Sequence, residues 1–419
     1  MKKLSLLALF SICWLAALAE NIFDNTCYYR VNDDQKTVTV IYGSYYTGDM
    51  EIPSTVTFHG VTYTVTAIDK EAFAYTDVTS VKVPSTVTGI GRSAFRDCKQ
   101  LKSVSLPNSV DTIGPYAFQY CNALTEITIP ASVRTISEYM FDGCWELCKV
   151  NLPSGLRYIG LNAFQSCHRL TAINLPSGLN MIGNSSFRSC FGLQSVSIPG
   201  SVKNIGNQSF MDCSELKSVN IGNGVIRIGE DVFRNCDKLT SVTIPSSVKW
   251  IMDFAFRGCK SLTSITIPHG VEKLAYYAFL SSGLTSISIP SSVKTIEQRA
   301  FDECWSLTTV YCKNPQPITL EATIFAPMAT SKMTLYVPIG SKTLYENAEY
   351  WNKIGTIKEV DFTQKGDVNT DSRIDVSDVT ALVNHILGVT TYPTEAADVN
   401  ANGRVDVSDV TTLINQILK

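Results

Sequence analysis

Phenylalanine returns through this chain with a fixed step. It stands at 73, 95, 118, 141, 164, 187, 210, 233, 256, 279 and 301, and every step is 23 residues except the first and the last, which are 22. The same frame surrounds each Phe, as in "IGPYAFQYCNALTEITIPASVRTI" and "IGEDVFRNCDKLTSVTIPSSVKWI". A period this short and strict leaves little choice of fold. One unit is too small to bury an apolar face alone, so each stacks on its neighbours and the result is a solenoid.

Within a unit, "LTEITIP" places Leu124, Ile127 and Ile129 on one side, and Pro130 ends the ladder. This predicts one short strand per coil in a long parallel sheet. Val133, Ile136 and Phe141 then line the inside of the return path. The outward positions, from Ser103 and Ser105 through Glu126, Thr128, Lys149 and Asn151 to Ser264 and Thr266, are small, hydroxylic and nearly uncharged. They include no aromatic platform for a sugar ring.

Nine cysteines fall three residues after a Phe: Cys98, Cys121, Cys144, Cys167, Cys190, Cys213, Cys236, Cys259 and Cys304. Thr76 and Ser282 stand there in the two 22-residue units. One thiol per coil, with no His or paired Cys beside it, is unlike a compact zinc site. The column reads as buried structural thiols with weak hydrogen bonds. Cys27, Cys148 and Cys312 lie outside it and receive no role. One residue past the column, Trp145, His168 and Phe191 occupy matched positions in three successive coils. They are expected to stack as an exposed ridge, the kind of patch that marks a contact site.

The repeat frame resembles the BspA-like branch of the leucine-rich repeats. The resemblance covers residues 65–312, and the flanks fit it: 20–64 read as a β-hairpin cap and 313–362 as a closing strand and helix. It implies a mainly β solenoid whose curved surface binds proteins or a host surface. Catalysis is not expected, because the four histidines are scattered and no Ser or Cys sits in a nucleophile-elbow sequence.

Residues 1–19, "MKKLSLLALFSICWLAALA", carry a basic pair, a short apolar run and a small-residue end, the pattern of a secretory signal cleaved after Ala19. An exported, secreted or cell-surface chain is expected. The net charge is −3, with eight acids and three bases in residues 366–419. A neutral body excludes a nucleic-acid partner, which needs a basic face, and the acidic tail points to a cation.

That tail says one thing twice. Asp367, Asn369, Asp371, Asp375 and Asp378 stand at positions 1, 3, 5, 9 and 12 of one loop, and Asp398, Asn400, Asn402, Asp406 and Asp409 at the same positions of a second. Position 7 supplies a backbone carbonyl, from Arg373 and Arg404. Calcium takes six to eight oxygens, and a twelve-residue loop delivers them at this spacing. The chain is therefore expected to hold Ca2+ at two sites. The first loop has more carboxylates, the second has Gly403 where the first has Ser372. These effects oppose and leave the sites unranked. A helix follows each loop, with Val379, Leu382, Val383 and Ile386 on one face of the first and Val410, Leu413, Ile414 and Ile417 on one face of the second.

Loop then helix, twice, with Asp at position 12, resembles a type I dockerin over residues 366–419. The resemblance implies a cohesin-like partner or surface scaffold. Its contact residues, carried over, are Val376, Ser377, Val407 and Ser408; both copies read Val-Ser, which implies docking in either of two orientations. The reading is an exported, non-catalytic binding protein. One alternative is a non-catalytic subunit of a polysaccharide-degrading complex, and another is a structural surface antigen.

Overall fold

The computed structural model describes residues 21–362, 365–369, 374–392, 394–400 and 402–418. The expected signal segment lies outside the described residues, as do Asp371 and Arg373 of the first loop. The described chain forms two compact units, Met1–Leu216 and Lys217–Lys419, built from one kind of coil: a parallel-sheet β-solenoid.

The first unit opens with antiparallel pairing. Asn21–Phe23, Tyr28–Val31 and Thr37–Ile41 pair in sequence, and Thr55–Phe58 folds back on Val61–Ile68. His59 and Gly60 make the reversal, both at positive φ. Val61–Ile68 then pairs in parallel with Thr37–Ile41 and with Gly89–Ile90, which converts hairpin into coil. Cys27, unassigned by sequence, is buried in this cap, and burial pushes its thiol up to about 12.

The expectation of one strand per coil is corrected. Most coils carry two strands: a longer one such as Glu126–Thr128, paired with Lys149–Asn151, and a two-residue one such as Thr135–Ile136, paired with Tyr158–Ile159. Residues read as return path thus hydrogen-bond between coils. Ile136 and Ile159 are buried, while Thr135 and Tyr158 are exposed. The period-2 alternation was too short to register in sequence as a strand.

Between the two-residue strand and the next longer strand runs a turn-rich segment holding the Phe. Phe73, Phe95, Phe118, Phe141, Phe164, Phe187 and Phe210 stack in the first unit with centroids 5.0–5.5 Å apart. All are fully buried, each contributing about 1.5–3 kcal/mol. The residues two before and two after each Phe adopt positive φ: Tyr116 and Tyr120 around Phe118, Asn162 and Ser166 around Phe164, Ser185 and Ser189 around Phe187. These left-handed residues turn alternate amides onto the next coil. Phe118 N donates to Met140 O at 2.9 Å and Tyr120 N to Asp142 O at 2.8 Å.

The second unit repeats this with Phe233, Phe256, Phe279 and Phe301. Phe325, outside the 23-residue frame, continues the stack at 5.8 Å. Thr309–Cys312, Thr334–Pro338 and Thr356–Val360 are parallel neighbours, so the closing segment adds strands to the sheet. Their outward Tyr311 and Tyr336 stack at 4.9 Å, beyond the outward positions 103–266 that carry no aromatic. Cys312, also unassigned by sequence, is buried here and accepts from the Tyr345 hydroxyl at 3.2 Å. Cys148 is exposed.

Candidate functional site

In the second loop of the tail the side-chain oxygens turn inward onto the loop's own amides. Asp398 accepts from the amides of Asn402 and Gly403, both at 3.0 Å. Asn400 Oδ1 accepts from Asn402 N at 3.0 Å, and Asn402 Oδ1 from Arg404 N at 2.8 Å. Gly403, at φ +82, makes the sharp bend that permits this. Buried Asp409 closes the loop with both oxygens, accepting from Asn400 N at 3.1 Å and Asp406 N at 3.0 Å.

The first loop repeats the closure. Buried Asp378 accepts from Asn369 N at 3.1 Å and Asp375 N at 2.9 Å. Asn369 Nδ2 reaches Ser377 Oγ at 2.7 Å, as Asn400 Nδ2 reaches Ser408 Oγ at 2.7 Å. Asp375 and Asp406 cap their helices by accepting from Ser377 N and Ser408 N, both at 2.8 Å. The Ser408 hydroxyl and amide also hold the Asp406 carboxyl below the usual carboxylate range, which keeps it charged. Among the described residues no three His, Cys, Asp or Glu side chains gather into a ready-made ion cage. The donor set nonetheless fits a hard cation: it is all oxygen, wrapped by one loop, and closed by a buried carboxylate.

The helices Val376–Ile386 and Val407–Ile417 pack through Leu382 and Leu413, with Val368, Ala381, Ala397 and Val399 completing the core. Two assignments are corrected. Val383 and Ile414 do not join the buried face; they are 37% and 40% exposed. The packing of the two helices claims only a narrow stripe, which the 3.6-residue period cannot place to within one position. The outward stripes match: Val376, Val383 and Leu387 on one helix, Val407, Ile414 and Leu418 on the other, with Val376 and Val407 each 69% exposed. The structure brings the Val-Ser pairs to the starts of both stripes. Sequence reasoning missed Leu387 and Leu418 and did not turn Val383 and Ile414 outward, although the 31-residue offset was legible.

On the repeat body, Trp145, His168 and Phe191 do stack. Trp145 and His168 centroids are 6.1 Å apart with planes 6° off parallel; His168 and Phe191 are 4.7 Å apart at 18°. Burial between its neighbours holds the His168 imidazole below its ordinary value, toward the neutral form. Trp145 and Phe191 are exposed. The Arg169–Glu146 ion pair lies beside the ridge at 3.2 Å.

The model of the BspA type leucine rich repeat region matches in overlapping stretches, residues 66–194, 144–251, 180–308 and 226–355, more than half of the sequence. The chain belongs to the BspA-type leucine-rich repeat family. The type I dockerin model matches residues 365–418. No curated protein matches. Among solved structures, the pneumococcal vaccine antigen PcpA is 21% identical, with 82% of this chain and 100% of that one covered and a TM-score of 0.50. That likeness shows the fold. A leucine-rich cell surface protein from Faecalibacterium prausnitzii is 28% identical over 70% of this chain and 94% of its own, with a TM-score of 0.43. A leucine-rich repeat protein from Bacteroides ovatus is 24% identical over 81% and 100%, with a TM-score of 0.41.

Both parts of this BspA-type protein therefore come from families of non-catalytic binding modules. Type I dockerins bind calcium in general, and such a domain implies a cohesin partner. Among the described residues no helix is long and apolar enough to cross a membrane.

Proposed function

We propose that this chain is an exported, non-catalytic adhesion or recognition protein. Its BspA-type solenoid contacts a protein or host surface, with Trp145, His168 and Phe191 as the contact ridge. Its tail, folded around two calcium ions, attaches it to a cohesin or surface scaffold. Asp367, Asn369, Asp371, Asp375, Asp378 and the Arg373 carbonyl form one site; Asp398, Asn400, Asn402, Asp406, Asp409 and the Arg404 carbonyl form the other. Bound calcium neutralises the loop carboxylates and fixes the angle of each helix.

One observation carries the docking half of this reading: the tail presents two matched apolar stripes, each beginning at an exposed valine 69% open to solvent. Exposed apolar side chains repeated in register are costly on a free surface and are used where a partner covers them. Calorimetry of the mature chain with calcium, then with a panel of cohesins, tests it. Heat in both titrations is expected. No heat with calcium overturns the metal assignment, and no heat with any cohesin overturns docking.

A second reading, a non-catalytic subunit of a polysaccharide-degrading complex, is favoured by the Tyr311–Tyr336 stack beside the hydroxylic sheet face. Pull-down on a panel of insoluble glycans separates the two.

A further inference from the structure

The two loops share the hydrogen bonds of their closing aspartates but not their surroundings. Asp367 and Asn369 are 2% and 6% exposed, whereas the matched Asp398 and Asn400 are only half-buried. The first loop lies against the closing end of the repeat body. Asp367 and Ala396 form part of the wall of a largely apolar cavity of about 460 Å³, whose other walls include Pro315, Pro338, Ile339 and Phe362. Lys313 and Asp361 line it too, and the Lys313 ammonium lies 6.0 Å from the Phe362 ring.

Tyr392, between the two loop–helix copies, makes a second contact. Its ring meets His269 of the repeat body edge-on at 6.3 Å, and its amide donates to His385 Nδ1 at 2.8 Å. One residue thus touches the solenoid and packs against the core of the tail.

We propose that the first calcium loop and the closing end of the solenoid are one coupled unit: calcium in that loop fastens the tail to the solenoid, and the solenoid raises that loop's affinity for calcium. This rests on the calcium reading above. At 2% exposure the Asp367 carboxylate is little screened by water from the ion, so it binds more strongly there than in an open loop. Linkage makes the effect reciprocal, because whatever contact strengthens binding is itself strengthened by it. The outward stripes at Val376 and Val407 stay exposed in this arrangement, so a fastened tail still presents both to a partner.

The experiment compares the full chain with Ile339→Asp and with Tyr392→Ala. Ile339 is 70% exposed, so its substitution spares the core. A background Asp398→Ala change silences the second loop, and calcium titration then reads the first alone. Each variant is expected to weaken that step about tenfold, while the second loop, read in an Asp367→Ala background, is unchanged. Hydrogen exchange over residues 334–362 is expected to slow on calcium addition in the native chain and not in the variants. Native first-loop affinity in both variants, with no calcium-dependent protection, overturns the coupling and leaves calcium binding standing. Absence of calcium heat at both loops of the unmodified chain overturns the calcium reading itself.

Discussion

The thiol of Cys144 donates to the carbonyl of Phe118, one coil earlier, at 3.1 Å. The same bond recurs from Cys98 to Phe73, Cys121 to Phe95, Cys167 to Phe141, Cys190 to Phe164, Cys213 to Phe187, Cys259 to Phe233 and Cys304 to Phe279. In the short coils hydroxyls occupy the column with different partners: Thr76 donates to Phe73 O of its own coil at 2.6 Å, and Ser282 sits 3.2 Å from the Cys304 sulfur. The column is therefore a stack of donors, and a hydroxyl suits it. Cys144→Ser is expected to shift stability by under about 0.5 kcal/mol, while Cys144→Ala, which removes one of the two donors to the Phe118 carbonyl and leaves it the Cys121 amide at 3.1 Å, costs about 0.5–1.5 kcal/mol. Urea midpoints decide it; equal losses in the two variants contradict a donor role.

Burial pushes Cys190 up to about 12 and Cys304 up to about 11, from an ordinary 9.0. Below that ordinary value both folded and unfolded chains hold the proton, so these thiols add no pH dependence. Between about 9 and 12 the unfolded chain loses it and the folded one keeps it, so stability falls as pH rises. Denaturation midpoints at rising alkaline pH check this. At neutral pH a maleimide should label Cys148 alone among the described cysteines, as mass spectrometry of the folded protein would report.

Ser189 holds φ +57 two residues after Phe187, the position that Gly143 and Gly258 occupy in their coils. A left-handed backbone costs an ordinary residue roughly 1–2 kcal/mol, and a β-branched one more. Ser189→Gly is expected to be neutral or stabilising, and Ser189→Val destabilising by at least about 1 kcal/mol. The reverse order in thermal melts contradicts the strain argument.

Val376 and Val407 begin matched stripes, so the tail is expected to dock through either. Val376→Asp or Val407→Asp alone should lower cohesin affinity about twofold, because one equivalent mode remains. The double variant should lose it by about a hundredfold or more. A single substitution that abolishes binding means that only one face docks.

Trp145, His168 and Phe191 rest on each other and on the coil surface. Changing all three to Ser is expected to reduce surface adhesion several-fold, by loss of aromatic anchors, with far-UV circular dichroism unchanged. Full adhesion by the triple variant removes the ridge from the binding surface.

The sequence by itself determined the solenoid, its buried Phe and Cys columns, the doubled loops and the aromatic ridge. Each of these is a periodic or spacing feature, and stacking copies each residue type onto its neighbour's position without further information. Only the tertiary structure decided the rest. It placed a second, two-residue strand in most coils, because an intercoil hydrogen bond needs a neighbour before so short a segment is extended. It extended the Phe stack to Phe325 beyond the repeat frame. It turned Val383 and Ile414 outward, since which side of a helix is buried depends on the helix packed against it. It also distinguished two loops nearly alike in sequence by setting one against the end of the solenoid, a contact between segments whose meeting no local pattern encodes.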